Sequence, residues 1–237
     1  MIISVTGFIG SGKDTIADYL VAEHGFKRES FAGTLKDAVA TVFGWDRELL
    51  EGRSAEGRAW RERVDPWWAK RLKMPHLTPR WVLQNWGTEV CRHGFHTDIW
   101  IASLENKLRK TNEDIVISDC RFPNEIKMIK NMGGKTVRVK RGEEPEWYKS
   151  AKDVNAGMKR IGWAIGKDVL DKKGIHPSEY AWIGTKFDVT VTNDGTIEEL
   201  YANTEELIIS EIRNEIALSP SQPFLDDSDL TVSAHSS

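Results

Sequence analysis

The stretch from Met1 to Leu20, MIISVTGFIGSGKDTIADYL, constrains the fold more strongly than any other part of the chain. A short apolar run around Ile3 leads into a glycine-rich loop that ends in a lysine, and a helical pattern follows from Ile16. Glycine permits the positive φ angles that such a loop needs, and the start of the next helix adds unpaired N–H groups that attract anions. This order of strand, loop and helix predicts a P-loop, which binds the phosphates of a nucleotide.

The end of this loop departs from the usual P-loop pattern at one position. Lys13 is expected to reach the β- and γ-phosphates as a mobile positive charge. Asp14 stands where most P-loops carry Ser or Thr for magnesium. It could favour the helix N-terminus as a cap or dipole partner, or it could hold a water on magnesium. Thr15 follows, so the loop ends in Gly-Lys-Asp-Thr, which resembles the Gly-Lys-x-Thr form of nucleoside monophosphate kinases.

The length and composition favour one globular domain. The chain has 237 residues, of which 40% are hydrophobic and 29% charged, enough for one α/β domain with insertions. No apolar run has the length of a membrane span, and the chain opens on a predicted strand rather than a signal sequence, which favours a cytoplasmic protein. Cys91 and Cys120 lack the spacing of a metal site or a disulfide framework, so we expect two buried thiols.

Charge is distributed unevenly along the chain. From Glu198 onward there are nine acidic residues and one basic residue, a charge of −8, so Met1–Ile197 carries +5 within the total of −3. A mildly basic body suits an anionic small molecule, but this excess is too small to indicate nucleic acid as a partner. The Ser-, Asp- and Pro-rich residues 218–237 are expected to form a disordered acidic tail.

Hydrophobic patterns predict alternating strands and helices with two irregular insertions. Strands are expected at residues 2–5, 26–31, 115–117, 135–140 and 187–191. Helices are expected at residues 32–43, with Thr34 as cap and Gly44 as stop, and at residues 79–92, 98–110, 122–132 and 196–217. Residues 45–73 are rich in Arg and Trp and are expected to form short helices, and residues 142–186 form the second irregular region.

Several polar side chains outside the P-loop are candidates for substrate contacts. Helical spacing predicts that one face carries Arg80, Gln84, Thr88 and Arg92. Such a face is usually only solvated, but its two arginines could bind one phosphate. Lys36 lies in the first turn of a predicted helix, where the dipole does not favour a cation, so it is either a solvated lysine or a ligand of a substrate phosphate. Asp119 follows a buried strand, where open α/β sheets bind ligands.

The order of these motifs resembles one family. The matching pieces are Ser11–Thr15 with Ala17-Asp18, Leu35–Ala38, Leu83-Gln84 with Gly87–Glu89, Asp119-x-Arg121 with Glu125, Met132-Gly133, and Val191–Leu200. They resemble the phage deoxynucleoside monophosphate kinases, a branch of the P-loop nucleotide kinases. The resemblance extends from Met1 to about Leu207 and is weakest in the two tryptophan-rich insertions.

The resemblance implies a fold and a domain plan. The fold would be the three-layer α/β P-loop kinase fold, with a central parallel sheet of about five strands in the order 2-3-1-4-5 flanked by helices. Residues 1–217 would form one kinase domain. Within it, residues 45–110 would be an acceptor-binding helical insertion and residues 142–186 a lid-like insertion.

The resemblance also implies a reaction, the transfer of the γ-phosphate of ATP to a deoxynucleoside 5′-monophosphate with Mg²⁺. The implied ligands of ATP are Gly7, Gly10, Ser11, Gly12, Lys13, Asp14 and Thr15. Thr15 and Asp119 would hold the metal. The implied catalytic residues are Lys13, Asp119, Arg121 and Arg141, the last acting from the lid. Arg138 is a weaker candidate, because strand alternation turns it to the opposite face.

The resemblance assigns the base and acceptor contacts less specifically. Asn193 lies in the last strand-to-helix turn, where related kinases contact the base of ATP, but Asn-Asp-Gly is also good turn chemistry by itself. The implied acceptor ligands are Lys36, Arg80, Gln84 and Arg92, and one of Trp45, Trp81 or Trp86 could stack on the base. Of these three, Trp86 is our candidate for stacking on the base. No spacing shows which base is preferred, and a hydroxymethylated pyrimidine also fits.

Two other classes of function compete with this interpretation. One is a P-loop kinase that phosphorylates a hydroxymethyl group on a base in DNA, although such an enzyme should carry an exposed basic groove. The other is a non-enzymatic ATP-dependent switch, which normally has additional sensor motifs. The expected partners are therefore small-molecule nucleotides rather than nucleic acid or a membrane, and a homodimer is compatible with the sequence.

Overall fold

A computed structural model describes residues 1–157 and 161–210. Within these ranges the strands are β1 (Ile2–Thr6), β2 (Lys27–Glu29), β3 (Ile115–Ile117), β4 (Lys135–Lys140) and β5 (Val189–Thr192). They form a parallel five-stranded sheet in the order β2-β3-β1-β4-β5, which confirms the expected fold. The tail expected at residues 218–237 and the end of the helix expected to reach residue 217 lie outside the described residues.

Helices connect the strands. In chain order they are α1 (Lys13–His24), α2 (Gly33–Phe43), α3 (Arg47–Glu51), α4 (Ala55–Arg61), α5 (Pro66–Leu72), α6 (Pro79–Gln84), α7 (Ile99–Leu108), α8 (Pro123–Asn131), α9 (Tyr148–Asn155), α10 (Ile161–Lys172), α11 (Pro177–Tyr180) and α12 (Ile197–Thr204). Helices α6 and α12 continue as π-helical segments over Asn85–His93 and Glu205–Ser210. In the described part of the chain, no helix is long and apolar enough to cross a membrane.

The sheet separates two hydrophobic layers, because side chains alternate between its faces along each strand. In β3, Ile115 and Ile117 pack on one side with residues of α7 and α8, whereas Val116 packs on the other side with residues of α1 and α12. All three side chains are at most 2% exposed. Helices therefore cover both faces of the parallel sheet, and the loops at the carboxyl ends of its strands are left to form a binding site.

The Arg- and Trp-rich region folds into α3, α4 and α5, and each of these short helices is capped by its own sequence. Asp46, Ser54 and Asp65 accept hydrogen bonds from backbone N–H groups in the first turns of α3, α4 and α5. Leu50 of α3 is fully buried and packs with Leu77 and with residues of α2 and α6. We call this group the insertion core. The insertion is thus a packed extension of the domain rather than an irregular loop.

The predicted cap of α2, Thr34, is wrong. The helix begins at Gly33 after Ala32, no side chain of its own first turn caps it, and Thr34 lies inside it. Asp119 binds the backbone just before the helix, where it accepts hydrogen bonds from the N–H groups of Phe31 and Ala32 at 3.2 and 3.4 Å. The contact joins the end of β3 to the start of α2.

The region of residues 142–186 is anchored to the domain by aromatic contacts. The ring of Phe8, in the P-loop, lies 4.9 Å from that of Trp182 and 5.5 Å from that of Trp147, measured between centroids. Arg138 of β4 lies over the rings of Tyr148 and Trp182, at 5.4 and 5.1 Å, and it forms an ion pair with Glu144. The Arg138 guanidinium is therefore occupied by packing and pairing within this region.

We expect Leu50→Ala to lower the free energy of unfolding by about 2–5 kcal/mol, because it leaves a cavity in the insertion core. Leu72 is a matched control on the neighbouring helix, since it is 45% exposed and its truncation to Ala should cost about 0.5 kcal/mol or less. Urea unfolding followed by circular dichroism measures both. If Leu50→Ala lowered the free energy of unfolding as little as Leu72→Ala, the insertion would not unfold together with the rest of the domain.

Candidate active site

The P-loop spans the turn between β1 and α1, and close contacts require its glycines. Gly12 has a φ of +100°, and a Cβ there would lie 2.5 Å from Nδ2 of Asn193. At Gly7, a Cβ would lie 2.5 Å from Oγ of Ser11 and 2.6 Å from the carbonyl oxygen of Val139. No side chain caps the start of α1, so its first N–H groups can bind an anion.

Asn193 supports the P-loop from the end of β5. Its side chain is buried, and Nδ2 donates a hydrogen bond to the carbonyl oxygen of Ser11 at 2.8 Å. Its backbone N–H donates to the carbonyl oxygen of Lys140 at 2.8 Å. The sequence left two roles open for Asn193, contact with the base of ATP and support of the turn. These hydrogen bonds are the supporting role. A small cavity of about 330 Å³ adjoins this turn and is lined by Thr192, Asn193, Asp194, Gly195, Glu199, Leu200 and Asn203.

The unusual Asp14 is part of a hydrogen-bonded network that joins α1 to β2 and β3. Its carboxylate accepts from Oγ of Ser118 at 2.8 Å and from the guanidinium of Arg28. Arg28 also donates to Asp18 and to Ser118, each at 2.5 Å. Asp14 therefore fixes an arginine beside the P-loop lysine. Arg28 is not among the site residues predicted from the sequence. Its one signal in the sequence is a charged residue inside a strand of a parallel sheet, where a buried charge needs a partner.

A cavity of about 980 Å³ opens beside the P-loop, and it contains some of the predicted site residues but not others. Those that line it are Lys13, Asp14, Lys36, Arg92, Asp119 and Arg121. Those that do not are Gly7, Gly10, Ser11, Gly12, Thr15, Arg80, Gln84, Trp86, Arg141 and Asn193. Burial lowers the pKa of Lys13, the attraction of Asp14 opposes this, and the charges of Arg121 and Arg28 add to it. Lys13 therefore lies in a strongly cationic part of the cavity.

Asp119 lies between two cations at the end of β3. Burial raises the pKa of its carboxyl, while the hydrogen bonds from Phe31 and Ala32 and the charges of Lys36 and Arg121 oppose this. Each carboxylate oxygen accepts one of the two backbone N–H groups, and the side chain also lines the cavity. Within residues 1–157 and 161–210, no cluster of three His, Cys, Asp or Glu side chains could hold a metal by itself. A divalent cation here would need oxygen ligands from the substrate.

Lys36 is part of the cavity wall rather than a solvated lysine. Its side chain is 13% exposed, and Nζ lies 2.7 Å from Oε1 of Glu51. Arg47 binds the other oxygen of Glu51, also at 2.7 Å. Burial opposes ionisation of Glu51, but the hydrogen bonds and charges of these two cations lower its pKa to about 2. Lys36 is therefore held in the cavity by a carboxylate that is charged at neutral pH.

Glu125 is a buried carboxyl behind the part of the cavity that Arg92 and Arg121 line. It is 3% exposed, and Oε2 accepts hydrogen bonds from the N–H groups of Arg121 and Phe122 at 2.7 and 3.0 Å. The guanidinium of Arg92 lies 3.8 Å from Oε1 and over the Phe122 ring. Burial is the main cause that raises the Glu125 pKa to about 7, and the nearby Asp119 charge adds to it. Glu125 thus positions both Arg92 and the backbone of Arg121.

The predicted polar face of Arg80, Gln84, Thr88 and Arg92 does not form. Arg80 pairs with Glu62 at 3.1 Å, and Gln84 is exposed, whereas Thr88 and Arg92 line the cavity. The cause is the π-helical segment that starts at Asn85, because i→i+5 hydrogen bonds widen the turn and shift the phase of every later residue.

The tryptophan that lines the cavity, beside Phe31 and Phe122, is also different from the predicted one. Trp86 packs in the insertion core, with its ring 5.4 Å from that of Phe43. Trp45 is buried in the same core and Trp81 is 39% exposed. Trp100 instead lines the cavity, and its Nε1 donates to the carbonyl oxygen of Gly87 at 2.9 Å.

Arg141 and the region of residues 142–186 approach the site from the other side. The Arg141 guanidinium donates a hydrogen bond to the carbonyl oxygen of Gly10 at 3.3 Å, so it lies against the P-loop. His176 and Ser178, at the start of α11, line the large cavity. Arg141 therefore contacts the P-loop, and the start of α11 borders the large cavity.

Two sequence relatives indicate the family to which the chain belongs. No protein-family model matches the chain. A protein of Acanthamoeba polyphaga mimivirus, provisionally named a deoxynucleotide monophosphate kinase, is 30% identical over 217 residues, covering 85% of this chain and 93% of the viral protein. The chain belongs to the deoxynucleoside monophosphate kinase family. The deoxynucleoside-5′-monophosphate kinase of Escherichia phage T5 is 26% identical over 212 residues, covering 67% of this chain and 85% of the phage protein.

Solved structures of kinases superpose on the chain more loosely. Shikimate kinase from Aquifex aeolicus is 14% identical with a TM-score of 0.44, covering 93% of this chain and 100% of that one. Dephospho-CoA kinase from Campylobacter jejuni is 17% identical with a TM-score of 0.44, covering 89% and 96%. Superpositions of this quality carry no functional argument. As a member of the monophosphate kinase family, the protein is a phosphotransferase that binds nucleotides.

We expect Glu125→Gln to flatten the pH dependence of stability between about pH 4.5 and 7. In the wild type the folded state holds this proton up to about pH 7, whereas the ordinary pKa of a Glu side chain is 4.5. Glu125 therefore makes the free energy of unfolding fall as the pH rises through this window. Urea unfolding at pH 5 and pH 7.5 measures the slope. Glu146→Gln is the control, since that side chain is 89% exposed, and equal slopes in all three proteins would contradict the assignment.

Proposed function

We propose that the protein transfers the γ-phosphate of ATP to the 5′-phosphate of a deoxynucleoside monophosphate, releasing ADP and a deoxynucleoside diphosphate. The observation that supports this most strongly is the continuity of one cavity. It joins Lys13 of the P-loop to Arg121, Asp119 and Lys36, and then to helices α3 and α4 of the insertion. Such a cavity has room for a second nucleotide beside the donor phosphates.

The donor triphosphate would lie on the P-loop, with the N–H groups of residues 7–15 and Lys13 around its β- and γ-phosphates. Its base would lie near the small cavity beside Asn193, which adjoins the loop. Thr15 and Asp119 would hold Mg²⁺ together with substrate oxygens, which suits an ion that binds through few protein ligands and several phosphates or waters. When bound, Mg²⁺ neutralises charge on the phosphates.

The transfer itself needs positioning and charge neutralisation more than acid–base chemistry. An oxygen of the acceptor phosphate forms the new bond to the γ-phosphorus, and the bond from that phosphorus to the β–γ bridging oxygen breaks, so the electron pair leaves on ADP. Lys13 and Arg121 would stabilise the three equatorial oxygens from the cavity side, and Arg141 would do so from the side of Gly10.

The acceptor would bind between the P-loop and the insertion. Lys36 and Arg92 remain our acceptor ligands, whereas Arg80 and Gln84 lie outside the cavity and Trp100 replaces Trp86 as the aromatic candidate. We propose residues 1–217 as one kinase domain, with residues 45–110 as the acceptor insertion. Residues 142–186 would act as the lid, because His176 and Ser178 already line the cavity.

Free nucleotides are the proposed partners, in preference to DNA. The large cavity is lined by ten basic and eight acidic side chains, and this near balance suits one small anion better than a polyanionic duplex. Because the two relatives are viral proteins, we place the reaction in the cytoplasm of an infected host cell.

The decisive assay incubates the protein with ATP, MgCl₂ and each deoxynucleoside monophosphate and follows ADP. We expect Lys13→Ala to lower kcat by about 10²–10³-fold, because one charge on the transferring group is lost, without a change in the melting temperature. Lys172→Ala is the control, since its side chain is 75% exposed. ADP release that needs a DNA duplex, with no response to any free monophosphate, would refute the proposed reaction.

A further inference from the structure

Arg28 is a cation of the large cavity that the proposed reaction does not use. It lies in the middle of β2 and points to the face of the sheet that α1 covers, since it binds two side chains of that helix. The next residue, Glu29, points to the other face and pairs with Lys107 of α7. The Arg28 side chain is 14% exposed and lies within electrostatic range of Lys13. Its guanidinium therefore borders the place where the donor phosphates would bind.

Arg28 connects the first turns of α1 to the end of β3. It donates to the carboxylates of Asp14 and Asp18, which lie four residues apart on α1, and the contact with Asp18 is 2.5 Å long. It also donates to the hydroxyl of Ser118 at 2.5 Å, directly before Asp119. The Ser118 hydroxyl in turn donates to Asp14 at 2.8 Å. The start of the helix that follows the P-loop is thus fixed to the strand end that carries Asp119.

The same contacts engage both carboxylate oxygens of Asp14. Oδ1 accepts the hydrogen bonds from Arg28 and Ser118. Oδ2 lies 3.9 Å from Nζ of Lys13. The sequence left open whether Asp14 caps the helix or holds a water on magnesium. In the structure its carboxylate faces protein cations and a hydroxyl on both sides.

A carboxylate at position 14 opposes the binding of phosphate, and Arg28 offsets this. The start of α1 has no side-chain cap, so its N–H groups are free to bind the donor phosphates, and Asp14 lies in that first turn. Like charges a few ångströms apart repel each other near a protein surface. Lys13 and Arg28 balance the two negative charges of Asp14 and Asp18. Without Arg28, this part of the cavity would carry an excess negative charge beside the phosphates.

We propose that Arg28 is a positioning residue of the donor site, which neutralises Asp14 and holds its carboxylate against β2 and β3 so that ATP binds without repulsion. This inference rests on the donor site of the proposed function. The pair of Arg28 and Asp14 takes the place of the neutral Ser or Thr that most P-loops carry after the lysine. Arg28 therefore acts on the nucleotide through Asp14.

The first test is a double-mutant cycle on nucleotide binding. Calorimetry with the non-hydrolysable ATP analogue AMP-PNP and MgCl₂ measures the donor site without an acceptor. We expect Arg28→Met to raise the Kd about tenfold, because the charge of Asp14 is then uncompensated and solvent screens only part of it. In an Asp14→Asn background, where no charge needs compensation, Arg28→Met should change the Kd by about twofold or less.

Lys27→Met is the matched control for the loss of a charge from β2. Its side chain is 62% exposed and pairs with Glu113, away from the P-loop. We expect it to change the Kd by about twofold or less, because an exposed pair contributes little. The melting temperature of each variant shows whether it is folded.

A second variant, Arg28→Lys, tests the role of the charge if Arg28→Met does not fold. It keeps a cation beside Asp14 but cannot bind Asp14, Asp18 and Ser118 together, because an ammonium lacks the guanidinium fork. We expect its Kd for AMP-PNP to lie within about threefold of the wild-type value. A loss of tenfold or more in folded Arg28→Lys would overturn the neutralising role.

The remaining results separate this inference from the proposed function. Equal losses from Arg28→Met in the two backgrounds would make Arg28 a direct ligand of the phosphates and overturn its action through Asp14. A tenfold or greater rise in the Mg²⁺ concentration for half-maximal binding in Asp14→Asn alone would make Asp14 a metal ligand, with the same consequence. If the wild type binds AMP-PNP but releases no ADP from ATP with any monophosphate, the proposed reaction fails and the cycle still tests Arg28. If the wild type does not bind AMP-PNP, both fail.

Discussion

The approach of the Asn193 amide to Gly12 is the contact on which the geometry of the site depends. The amide occupies the place where any side chain at position 12 would begin, and it binds the carbonyl oxygen of Ser11. The loop is thereby fixed to the end of β5 as well as to β1 and α1. A phosphate-binding loop works through the directions of its N–H groups, so a rigid attachment on both sides gives those groups a defined orientation before any nucleotide binds.

Beyond the loop, the cavity is built from cations that carboxylates hold in place. Arg28 is held by Asp14 and Asp18, and Lys36 is held by Glu51. Unpaired cations at such density would repel one another and destabilise the fold. Pairing keeps them ordered, and their remaining donors stay available to a phosphate.

Regular, local features were predictable from the sequence, and long-range ones were not. The buried runs of β3 and β4 gave the observed boundaries, and the P-loop spacing placed the loop correctly. The contact of Asp119 with the backbone before α2 and the pairing of Arg28 with Asp14 join residues that are not neighbours in the chain, so no local pattern could reveal them. The face of Arg80 and Arg92 was mispredicted because a π-helical segment between them changes the helix phase.

Phe8 gives the P-loop a second attachment, whose consequence is mechanical. Its ring packs against Trp147 and Trp182, at the two ends of the region that we propose as the lid. The base of that region and the loop under the donor phosphates thus share one hydrophobic cluster. Closure over the substrates cannot be a free swing of the whole segment. The proposed lid must move between these anchored ends, so its contact with the P-loop limits how far it can move.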